Sequence, residues 1–61
     1  MSEPTPDELS LLDALLEGME AGRQGLSASL NPWQDGTDHH KEWLRGFKGG
    51  LMYRYRHMEA A

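Results

Sequence analysis

Three histidines, one pair of carboxylates and four serines are the residues of this chain that could do chemistry. His39 and His40 are adjacent, so on a helix they point in different directions and do not converge on one ion. No HxxxH spacing occurs and there are no cysteines, which excludes thiolate zinc sites and disulfides. Asp35 and Asp38 lie close to the two histidines in sequence, but capping and surface roles fit this cluster better than a metal site. Asp13 and Glu17 stand four apart, on one helix face. Acid–base work would need a closed pocket to separate their protonation states, and a short helical chain offers none. Ser2, Ser10, Ser27 and Ser29 lack a convincing base, and GxSxG, phosphate-loop and HExxH patterns are absent. The expectation is a protein that binds rather than catalyses, with no catalytic residues, no metal and no cofactor.

Charge suggests what it binds. The net charge is −4, but residues 1–22 hold six acids and no lysine or arginine, whereas residues 41–56 hold five bases against Glu42 alone. Arg45, Lys48, Arg54 and Arg56, joined by Arg23, are candidates for phosphate contacts, and Tyr53 for stacking on unpaired bases. A polyanion partner normally meets a net basic footprint. The acidic total therefore keeps a protein partner as the alternative.

These residues have to be positioned by helices. Thr5 is placed to cap the first helix, with Pro6 at its first position and Glu8 completing a capping box. Leu9, Leu12, Leu16 and Met19 recur at helical spacing, widened by Leu15. Gly18, Ala21, Gly22 and Gly25 would let another helix approach closely, and Gly25 can also end the helix. Residues 26–37 are turn-rich, with Asn31-Pro32 and Asp35-Gly36 as breakers. A second helix starts at Thr37 or Asp38 and carries Trp43, Phe47, Leu51 and Tyr55 at intervals of four. Gly49-Gly50 is a point where it could bend.

The same glycine, proline and tryptophan positions resemble the ribosome modulation factor family. The resemblance runs from Gly18 to Gly50. It rests on Gly18, Ala21, Gly22 and Gly25, then Pro32-Trp33, then Trp43-Leu44 and Gly46-Phe47. It implies a two-helix fold with a structured connecting loop. It also implies binding to the ribosome or ribosomal RNA, and translational silencing through inactive ribosome dimers. The sequence departs from that pattern in its acidic, leucine-rich start and in the added segment Leu51–Met58.

The expected fold is all-α, a two-helix hairpin with a Pro-Trp loop, and self-association through the leucine face is an open option. The expected organisation is a flexible segment 1–5, one helical domain 6–58 (helix 6–24, loop 25–37, helix 38–58) and a frayed end 59–61. The core is expected to draw on Leu12, Leu16, Met19, Gly22, Leu26, Pro32, Trp33, Trp43, Gly46, Phe47 and Leu51. No apolar run is long enough for a bilayer, and the start is acidic where a signal peptide is basic, so the expected compartment is the cytoplasm. With no disulfide to support so short a chain, each large core side chain matters. Trp43→Ala should cost about 3–5 kcal/mol, comparable to the stability of a small domain. Circular dichroism should show its cooperative melt lost, and a retained melt would contradict the assignment of Trp43 to the core.

Overall fold

The computed structural model describes residues 6–59, and helix boundaries follow the local chemistry. The first helix, α1, spans Pro6–Arg23. Proline is tolerated at its first position, and Asp7 and Glu8 favour the positive end of its dipole. The expected cap Thr5 lies outside the described residues, as do the rest of segment 1–5 and residues 60–61. α1 ends in a Schellman turn: Leu26 N–H donates to the Ala21 carbonyl at 3.0 Å and Gly25 N–H to that of Gly22 at 3.1 Å. Gly25 takes φ 74°, which a side chain would oppose.

The connection, residues 24–37, is built by short-range hydrogen bonds. Ser27 caps a single 3-10 turn, η1, at Ala28–Leu30. The Asn31 side chain then works in two directions. Its oxygen accepts from Trp33 N–H at 3.0 Å, and its amide donates to the His40 carbonyl at 3.1 Å. Thr37 caps the second helix, its hydroxyl accepting from His40 N–H at 3.1 Å. That helix, α2, spans Asp38–Glu59 and is continuous through Gly49-Gly50.

The two helices pack backbone to backbone. A Cβ on Gly18 would overlap the Trp43 carbonyl oxygen, and one on Gly22 that of Phe47. From the other side, a Cβ on Gly46 would overlap the Leu15 carbonyl oxygen, and one on Gly50 that of Met19. Such closeness permits weak Cα–H···O contacts, each worth about 0.5–1 kcal/mol, and is the device of small-xxx-small helix pairs.

These contacts also fix direction. Ser10 meets His39, Leu15 meets Gly46, Met19 meets Gly50 and Arg23 meets Arg54. Residue numbers rise together on both helices, so α1 and α2 run parallel. The chain must therefore travel back from the level of Arg54 to that of Asp38, roughly 24 Å at 1.5 Å per helical residue. A loop of two to five residues reaches no more than about 17 Å, which is why the connection is long.

Burial follows from this seam. Ala14, Ala21, Trp43 and Phe47 form the core, with Trp33, Leu44 and Leu51 packed against it. The Trp43 and Phe47 rings stack at 5.3 Å. Gly22 and Gly46 are buried too. The expected core is otherwise corrected. Leu12, Leu16, Met19 and Leu26 are exposed by 49, 51, 39 and 43 %, and Pro32 is exposed as well. The reason is geometric. Only small residues allow the backbones this close, so α1 turns Ala14, Gly18, Ala21 and Gly22 inward and leaves Leu9, Leu12 and Leu16 outside the seam.

The seam predicts opposite outcomes for two chemically identical substitutions. Gly→Ala in an exposed helix position gains about 1 kcal/mol, and nothing lies within 4 Å of a Cβ at Gly49. Gly49→Ala should therefore raise the urea midpoint. Gly18→Ala and Gly46→Ala should lower it, with a stability loss of about 1–3 kcal/mol or more, because the clash is with backbone and is relieved only by moving a helix. Equal effects at Gly18 and Gly49 would contradict the seam.

Candidate functional site

On a 3.6-residue repeat, Lys41, Arg45, Lys48 and Arg56 fall on one side of α2, opposite the seam. All four are exposed. Met52 stands among them, 58 % exposed, and Tyr55 flanks them at 63 %. Arg45 pairs with Glu42 at 3.7 Å. With three-quarters of its side chain in solvent, that pair is weak and leaves the guanidinium available. This face is a row of cations with apolar side chains between them, which suits phosphates with bases or sugars alongside.

The remaining cations gather where both helices end. Arg54 Nη1 donates to the Arg23 carbonyl at 3.3 Å, and its guanidinium lies where a Gly25 side chain would begin. It thus satisfies a carbonyl at the negative end of the α1 dipole. Arg23 pairs with Glu20 at 3.5 Å and sits 5.0 Å from the Tyr53 ring centroid. The Tyr53 and His57 rings lie 3.9 Å apart. Of the six residues expected to bind, Arg45, Lys48 and Arg56 share the outward row, whereas Arg23, Tyr53 and Arg54 form this terminal cluster. Lys41 joins the row although it was not among the six. Its spacing of four and seven from Arg45 and Lys48 was the available signal.

The histidines serve separate contacts. His39 Nε2 is 2.9 Å from Ser10 Oγ and its ring lies 4.6 Å from that of Trp33. The Ser10–His39 pair has the elements of a nucleophile and a base. Among the described residues, however, no carboxylate hydrogen-bonds to His39 to orient it as a triad requires. His40 Nδ1 lies 3.6 Å from the Asp35 carboxylate. Among the described residues no group of three His, Asp or Glu could hold a metal ion. Among the described residues no helix is long and apolar enough to cross a membrane.

One open groove, of about 400 Å³, runs along the seam and is lined by Leu15, Met19, Arg45, Gly46, Gly49 and Tyr53. Leu12 and Leu16 do not line it, and are about half exposed on the adjoining side of α1. No family model, curated protein or solved structure matches this chain.

Proposed function

We propose that this chain is a small, non-catalytic regulatory protein that binds the ribosome or ribosomal RNA through the outward face of α2, in the manner of a ribosome modulation factor. The observation that carries this reading is the row Lys41, Arg45, Lys48 and Arg56, four exposed cations in line on one rigid helix. A straight row of this kind follows a phosphate backbone, and the acidic half of the chain would limit attraction to arbitrary polyanions. The Pro32-Trp33 loop contributes by holding the N-terminal end of α2 through Asn31, so the row is presented without ordering cost.

A second reading rests on a different surface. The exposed stripe Leu9, Leu12, Leu16 and Met19 is the kind of helix face that docks on protein. Under that reading the chain would be captured by a protein and would ignore RNA.

Co-sedimentation with purified ribosomes distinguishes the two. At physiological salt of about 0.15 M, the protein should pellet saturably with ribosomes. Its log affinity should fall with log salt at a slope of about −3 to −4, as four phosphate contacts require. Arg45→Glu/Lys48→Glu should abolish pelleting with helicity unchanged, since both side chains are in solvent. Absence of pelleting, or binding indifferent to salt, would remove the polyanion reading.

A further inference from the structure

Among the described residues, the outward side of α1 is left largely exposed. Leu9, Leu12 and Leu16 are each about half exposed, at 49, 49 and 51 %, and Met19 is 39 % exposed. Their spacing of three, four and three is that of a coiled-coil seam. Towards α2 the stripe runs into the groove floored by Gly46 and Gly49, and none of residues 24–37 lines that groove. Meanwhile the core of the chain is four residues, two of them alanines, and it holds no large side chain below 2 % exposure. Apart from Trp43 and Phe47, the large apolar side chains among the described residues are left at least partly exposed.

Charge indicates the occupant. Asp13, Glu17 and Glu20 lie on the side of α1 beyond the leucine stripe, while on α2 Arg45 lines the groove and Lys41 and Lys48 stand farther out on the same basic row. Because the helices are parallel and Leu15 is level with Gly46, these acids and bases occupy the same heights. A two-fold axis running along the helices keeps every height and exchanges the helices. It would lay the α1 stripe of one copy over the Gly46–Gly49 floor of the other, with acids beside bases on both edges. Packing α1 on its own copy would instead bring Asp13 against Asp13.

We propose that a second copy of this chain covers this face, forming a closed two-fold dimer in which each α1 packs on the α2 of its partner. The contact is isologous, so it closes at two copies. It buries the leucines and methionine that the chain alone cannot. This inference shares Arg45 and Lys48 with the polyanion reading but not its test, since the interface forms without RNA.

Sedimentation equilibrium tests it on the full chain, at about 100 µM so that mass action favours assembly. The expected mass is twice the 6.9 kDa of one chain. Leu12→Gln/Leu16→Gln should sediment as a monomer with its helicity retained, because both side chains already face solvent. Asp13→Lys/Glu17→Lys should also be monomeric, and adding Arg45→Glu/Lys48→Glu in the same chain should restore the dimer. A wild-type monomer, a mass of four copies, or a leucine variant that stays dimeric would overturn the proposal. Failure of the fourfold variant to re-pair would overturn the α1-on-α2 arrangement. None of these readouts involves ribosomes, so their failure is distinct from failure of the binding reading.

Discussion

Four glycines hold this structure in place. Gly18 and Gly22 on α1, and Gly46 and Gly50 on α2, each stand against a carbonyl oxygen of the other helix. Side chains usually keep packed helices about 8–10 Å apart, and here the interposed side chain is missing on both sides at once. That reciprocity sets the register. Sliding either helix by one residue would drive a side chain into the opposing backbone, so the pair has few alternatives at this distance. Glycine carries a helix-propensity cost of about 1 kcal/mol per position, which the close approach and the Trp43–Phe47 packing beside it must offset.

Direction follows from the same seam and has electrostatic consequences. Parallel helices place both negative dipole ends together, an arrangement that is unfavourable unless cations are nearby. Arg23 lies in the last turn of α1 and Arg56 and His57 in that of α2, and Arg54 bonds directly to the Arg23 carbonyl. Acids occupy the first turns, with Asp7 and Glu8 on α1 and Asp38 on α2. The charge asymmetry that sequence alone presents as a possible binding signal is therefore in part the complement of two aligned dipoles. The outward row on α2 is different, because Arg45 and Lys48 lie away from either helix end and Lys41 stands in the first turn of α2, where a cation does not complement the dipole.

Much of this was legible beforehand. Breakers and caps act within a few residues, so the two helices, the Gly25 terminus and the Thr37 start could be read from local chemistry. The glycine spacing that permits close packing was legible too. What periodicity could not decide was which face of α1 turns inward. The leucines and the glycines both recur at helical spacing, and counting apolar residues favours Leu12 and Leu16. The seam uses shape instead, and it selects Ala14, Gly18, Ala21 and Gly22. Helix direction was equally hidden. It depends on where the Asn31 amide and the Ser10–His39 contact fasten the returning chain, and these link residues nine and twenty-nine positions apart.

The thin core makes binding and folding one energetic question. A chain whose buried apolar side chains, among the described residues, are Ala14, Ala21, Trp43 and Phe47 has little stability to spare. Anything that binds only the folded form adds about 2.7 kcal/mol when present at 100 times its dissociation constant. For a small domain that is a large share of the total. Coverage of the leucine face would thus do more than join two surfaces. It would raise the population of molecules whose α2 is fully formed and whose cations stand in line. The apolar face of α1 and the basic face of α2 would then be coupled through the fold itself, with the glycine seam as the element both depend on.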